Sequence, residues 1–439
     1  MPSHQAPFAH GNFCHNGAKR TKGQGQLAQP EAVTSRTGGD TAFRRQVFYI
    51  PGYDPFPPRR YRELYRTESA SQAALSGYEI ALLPSAGAGA DGWQVGATIG
   101  GRTVQSRIEV LVWSDIVQGS MDRGVAATYL QLARTAWIYL ASGTLFRLMR
   151  LRKGPMIAAL YPVIILLVQG LVAGLVVWGI VRAVQWLWPG PTGTGMGLLL
   201  GLVAGGLVLR GFRAIDHRLY AHYLMHDYAF TAREAGANPP TLEARMAAFG
   251  GTIRAALERD LDEVLVVGHS SGAHLAVSIL ADLLRAGLPD RPPALGFLSL
   301  GQVIPMVSFL PRATRLRADL AYLAASNALT WVDVTAPGDG CAFALCDPVA
   351  VTGVSPPGKR WPLVVSAAFS QTLSPDRWRA LRWRFFRLHF QYLCAFDRPG
   401  DYDYFQITAG PVTLADRYRD RAPSKSRIER PLSGYRSLS

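Results

Sequence analysis

"EVLVVGHSSGAHLAVSIL", residues 263–280, joins two hydrophobic patterns with a turn between them. Val264, Leu265, Val266 and Val267 form a short, β-branched apolar run of the kind that makes a buried strand. Ala273, Leu275, Ala276, Ile279 and Leu280 recur at helical spacing. Between them stands Gly268-His269-Ser270-Ser271-Gly272. Glycine at both outer positions permits a turn too tight for a Cβ. A strand, sharp turn and helix in this order lift the Ser270 hydroxyl above the strand end. They also aim the first N–H groups of the helix at whatever the serine attacks.

A serine hydroxyl is a poor nucleophile until a base takes its proton, and the base needs an acid to hold its tautomer. In an open α/β sheet these groups belong on loops at the carboxyl ends of later strands. Asp339, in "WVDVTAPGDGCAF" at 331–343, follows an apolar strand in a Pro-Gly-Asp-Gly turn and suits the acid. Asp333, within the strand, and Asp347, before Pro348, are its rivals. Asp339 also reads as an ordinary turn aspartate. His389, in "RFFRLHFQYL" at 384–393, is the only histidine after the elbow helix and suits the base; it also reads as a packed helical histidine. Negative charge developing on a substrate oxygen needs N–H donors. Ser271 supplies one, and the Gly52-Tyr53 loop in "FYIPGYDPF" at 48–56 supplies the other.

The chain has 439 residues, 49% of them hydrophobic and only 18% charged, with a formal net charge of +15. That balance suggests a membrane protein with a large soluble part. The basic excess sits in arginines flanking apolar segments, and no nucleic-acid motif is present, so anionic lipid is the expected partner rather than nucleic acid. Cys14, Cys341, Cys346 and Cys394 are too scattered for a disulfide framework and read as reduced thiols.

Five regions follow. Residues 1–41, rich in Gly, Gln, Ser, His and Pro, read as a disordered tail, whose His4, His10, Cys14 and His15 offer no specific metal site. Residues 42–150 carry a strand at 46–50, a helix at 58–76, a strand at 80–83, a hairpin turning at Gly100-Gly101 and a helical stretch at 122–150. Residues 151–210 hold two apolar runs, 155–180 and 196–209. The first is uncharged and long enough for a ~30 Å hydrocarbon core. Trp178, Trp186 and Trp188 mark its far end, and Gly201, Gly205 and Gly206 favour close helix approach. The alternative is a buried helical pair. Arg147, Arg150, Arg152 and Lys153 before the pair, and Arg210, Arg213 and Arg218 after it, place both flanks on the cytoplasmic side of an inner or plasma membrane. Residues 211–415 continue the α/β domain. Their helices are expected at 241–258, 315–326 and 377–394, with strands at 294–300 and 329–334. His222 and His226, four apart, read as a packed pair rather than a metal site. Residues 416–439 read as a basic tail without structure.

Strands alternating with helices give an α/β fold with a mainly parallel sheet. "VLVVGHSSGAHLA", "FYIPGYDP" and "FLSLGQ" together resemble the α/β-hydrolase superfamily in its lipase- and esterase-like branch. The resemblance covers residues 45–53 and 263–389, with the apolar hairpin inserted between. It implies a helix-flanked, mainly parallel sheet and the chain order nucleophile Ser270, acid Asp339, base His389. It also implies cleavage of a carboxylic ester, of a lipid or an acylated small molecule, without metal or organic cofactor. The alternative is a non-catalytic membrane scaffold built on the same domain. Oligomeric state is not encoded in any of these patterns.

Overall fold

A computed structural model describes residues 42–55, 57–83, 91–121, 124–219 and 221–439. The expected tail at 1–41, with its histidines and Cys14, lies outside the described residues.

Eight strands form one mixed, mostly parallel sheet: β1 (Phe43–Ile50), β2 (Glu79–Leu83), β3 (Gly92–Ile99), β4 (Arg102–Val110), β5 (Glu263–His269), β6 (Ala294–Leu300), β7 (Thr330–Thr335) and β8 (Leu363–Ser366). Their order is β2-β3-β4-β1-β5-β6-β7-β8. β3 runs antiparallel to β2 and β4, and every pair from β4 through β1 to β8 is parallel. β5 is buried along its whole length. Val264 and Val266 pack on one face with the helices Pro240–Leu257, Gly272–Arg285 and Thr314–Ala325. Leu265 and Val267 pack on the other with Tyr61, Tyr65 and Phe405. Two covered faces account for a run of apolar residues without alternation.

A buried ion pair clamps the centre. Arg45 on β1 donates through Nε to Glu263 on β5 at 2.5 Å, and through its other nitrogens to the carbonyls of Gly410 and Val412, each at 2.6 Å. Glu263 in turn accepts the Leu414 N–H at 2.6 Å. Every charge-bearing atom is thereby partnered, as burial demands.

The apolar runs extend beyond their expected bounds into helices Lys153–Leu187 and Pro191–Ala214, the second including most of the expected link. Both are long and apolar enough to cross a membrane, and only 17% and 22% of their most apolar windows are buried. They pack as an antiparallel pair. A Cβ at Gly201 would lie 3.0 Å from the Val177 carbonyl oxygen, and one at Gly205 2.8 Å from a Val177 methyl. Gly206, expected at the contact, instead faces open space. Buried Gly193, Gly197, Gly201 and Gly205 recur every four residues, one helical face.

Three expectations need correction. The helical stretch 122–150 divides at Gly143 into Val125–Ala141 and Thr144–Leu151. The single helix at 377–394 is instead Pro375–Leu381, Phe385–His389 and a 3-10 turn, Phe390–Leu393, because Arg384 leaves helical geometry and its N–H returns to Leu381. The C-terminal stretch 416–439 is not unstructured. Ile428 exchanges backbone hydrogen bonds with Leu345 and Asp347, Leu432 donates to Val351, and Arg317 holds the Ser437 carbonyl at 2.7 Å. Its backbone groups complete the edge of the loop that follows β7. Cys341 and Cys346 carry free thiols as expected.

Candidate active site

Because β1, β5, β6 and β7 are parallel, their carboxyl ends share one edge. The loops there carry Gly52-Tyr53, Ser270, Gly301 and Asp339. Ser270 follows the last residue of β5 with φ +56°. That left-handed conformation costs a non-glycine residue about 1–2 kcal/mol. Neighbouring bonds hold it: the Ser270 N–H donates to the Leu300 carbonyl at 2.9 Å, and the Ala273 N–H donates to the Ser270 carbonyl at 3.2 Å. The flanking glycines are required by space. A Cβ at Gly272 would stand 2.1 Å from the Ile50 carbonyl oxygen, and one at Gly268 2.8 Å from the Ala273 Cα. Gly52 lies directly against the serine, its missing Cβ 3.0 Å from the Ser270 Cβ.

His389 ends its short helix beside this edge. Its Nδ1 is 2.8 Å from Asp339 Oδ2, and both side chains are buried. Asp339 is further fixed by the Tyr392 hydroxyl, donating to Oδ2 at 3.0 Å, and by the Cys341 N–H, donating to Oδ1 at 2.8 Å. Burial opposes ionisation of Asp339, but His389 and these donors outweigh it and hold the carboxyl below its usual range. With Nδ1 occupied, the remaining ring nitrogen, Nε2, is buried and has no hydrogen-bond partner. Ser270 and His389 line the same cavity, but the bond between Oγ and Nε2 is not closed. Such bonds are commonly long before substrate binds.

The rival aspartates are occupied elsewhere. Asp333 is fully buried on β7, accepts the Ser299 hydroxyl at 2.6 Å, and is pushed up to about 8 by burial. Asp347 caps the helix Pro348–Thr352, accepting the N–H groups of Val349 and Ala350 at 3.0 Å, and pairs with Lys359.

The expected N–H donors are adjacent to the serine with one difference. Ser271 caps the elbow helix, so its amide lies where N–H groups lack intrahelical acceptors. Tyr53 N–H instead donates to the Ser271 hydroxyl at 2.7 Å. A substrate oxygen would have to replace that hydroxyl.

Four cavity or support residues escaped the sequence reading. Tyr392 orients Asp339, and its spacing of three from His389 was the available signal. His269 lies tilted against His389 with ring centroids 4.8 Å apart and contacts the His389 carbonyl through Nε2; burial and its neighbour His389 lower it to about 3, so it is neutral. His274 also faces the cavity, lowered by burial to about 4. Asp227 lines the cavity too, raised to about 7 by burial, with His389 acting in the opposite direction. The single acid in "HYLMHDYAF" was its signal.

His222 and His226 are buried on the helix Ala221–Ala232. Among the described residues, only Asp339, Cys341 and His389 place three ligand atoms within 4.8 Å of one another. Burial first, and the Asp339 charge second, push the Cys341 thiol up. Within the trio, Asp339 Oδ2 and His389 Nδ1 are already hydrogen-bonded to each other. No protein-family model, curated protein or solved structure matches the chain.

Proposed function

We propose that the chain is a membrane-anchored serine hydrolase of the α/β-hydrolase kind, cleaving carboxylic esters through an acyl-enzyme. One observation carries this reading. A serine held at positive φ after a central strand shares a cavity with a histidine whose Nδ1 is fixed by a buried carboxylate. Ser270 Oγ attacks the ester carbonyl while His389 Nε2 takes its proton. The tetrahedral oxyanion is held by the Ser271 and Tyr53 N–H groups. Collapse breaks the C–O bond to the alcohol, which leaves with the proton from His389. Water then repeats the sequence on the acyl-serine, releasing the acid and restoring Oγ–H. Asp339 holds His389 in the tautomer with Nδ1–H and stabilises its charged form. This chemistry needs no metal or organic cofactor.

The two apolar helices anchor the domain, with the basic flanks at the cytoplasmic face of an inner or plasma membrane. Labelling of full-length protein by a fluorophosphonate tests the chemistry. Labelling that Ser270→Ala abolishes is expected. A protein inert to the probe and to short-chain esters would leave a non-catalytic membrane scaffold.

A further inference from the structure

The cavity is not confined to the sheet edge. Its volume is about 1070 Å³, and its wall includes Ile157, Ala158 and Tyr161 from the first apolar helix. That is just above the ~300–1,000 Å³ range of small-molecule sites. Ile157 is 63% exposed while lining the cavity, so the cavity opens on the outer face of that helix.

The opening's position follows from helix length. Thirty-five residues extend about 52 Å, against a hydrocarbon core of ~30 Å. The first helix pairs with the second towards its far end, Ala173 and Val177 meeting Gly205 and Gly201. The 153–161 end therefore projects from the core at the level of the lipid headgroups. The other lip of the opening carries Trp383, 73% exposed, with Arg382 placed over its ring at 5.7 Å and Phe385 against it edge-on. Exposed tryptophan beside arginine suits a membrane–water boundary. The two lips are adjacent, because Gly340, which touches Phe385, also lies against Gly154.

We infer that the substrate is a long-chain acyl ester still seated in the lipid leaflet, entering the cavity past Ile157 and Ala158 with its ester at Ser270 and its chain along the first apolar helix. The inference rests on the hydrolase reading above. A freely dissolved short ester would need neither this apolar wall nor an opening at headgroup level.

The test uses full-length protein with two substrates: p-nitrophenyl butyrate in solution, and vesicles of dioleoyl phosphatidylglycerol, scored by oleate release. Wild type is expected to cleave both. Ala158→Trp, which fills the wall, should lower the vesicle-to-butyrate rate ratio at least about tenfold, the scale of one lost apolar subsite. Ile157→Gln, at an exposed position that folding tolerates, should lower it in the same direction. Leu171→Trp, on the same helix away from the cavity, should keep the wild-type ratio. Ser270-dependent butyrate cleavage without oleate release overturns the inference and leaves the hydrolase intact. So does an unchanged ratio in both wall variants. Absence of both activities, with no fluorophosphonate labelling, overturns the hydrolase reading and this inference with it.

Discussion

Asp339→Asn removes one negative charge and replaces one acceptor with a donor, and the surroundings determine its cost. Oδ2 accepts from His389 and from Tyr392, and Oδ1 accepts from the Cys341 N–H. Whichever way the amide turns, its NH2 meets groups that had been donating. The cheapest relief is for His389 to move its proton to Nε2 and accept at Nδ1. That tautomer cannot take the serine proton. The expected loss in kcat is ~10⁴, or about 5 kcal/mol of transition-state stabilisation. The mismatch left in the fold costs about 1–3 kcal/mol. Asp333→Asn is the control. Burial keeps that carboxyl neutral at pH 7, and its amide retains the oxygen that accepts from Ser299. Its rate should stay within a few-fold of wild type. The assay is the initial rate on a short-chain ester, beside a thermal melt for each variant. If Asp333→Asn loses the chemistry with an unchanged melt, and Asp339→Asn stays active, the assignment of the acid is wrong.

Ser270→Gly should abolish labelling yet melt no lower than Ser270→Ala, because glycine relieves the positive φ at a gain of about 1 kcal/mol; a clear fall in melting temperature would remove the strain argument. Tyr392→Phe should lower kcat about tenfold with KM unchanged, since Asp339 loses one donor and the Ala336 N–H loses its acceptor; a change in KM alone would place Tyr392 in binding instead. Raised carboxyl pKa values make stability fall as pH rises. Asp333 contributes fully below the unfolded value near ~4, and that contribution is lost as pH passes about 8. Melts from pH 5 to 9 should therefore show a shallower decline for Asp333→Asn, and parallel curves would contradict it. Replacing residues 171–207 by a short Gly-Ser bridge spares the cavity wall and should release the protein from membranes, whereas retention after a high-salt wash would show that another surface anchors it.

The strand–elbow–helix was legible because each part has its own local signal: a β-branched run, two glycines and helical spacing. Asp339 and His389 were legible through chain order, as the acidic residue after a later strand and the remaining histidine. That order also implied their pairing, which the structure closes at 2.8 Å across fifty residues and a broken helix. The break at Arg384 leaves no proline or glycine mark, so 377–394 reads as one helix. The C-terminal stretch misled for another reason. Four of its contacts are backbone hydrogen bonds to residues 345–351, which side-chain patterns do not announce. β8, only four residues long, fell below the length at which an apolar run stands out. Asp227 and the helix bearing Ile157 join the cavity through tertiary packing alone.

The position of β1 governs how the chain can be made. β1 lies between β4 and β5, yet both apolar helices are encoded before β5. At ~5–20 residues per second, β5 leaves the ribosome about 10–40 s after β1. Through that interval β1 presents a bare edge of N–H and C=O groups, and Arg45 lacks its buried partner Glu263. The hairpin emerges first and can enter the bilayer while the sheet is still half built. Insertion would then tether the unfinished edge to a surface, where other nascent chains are less able to pair with it. If the hairpin inserts as proposed, biogenesis in this order gives the membrane the part of a folding platform as well as an anchor.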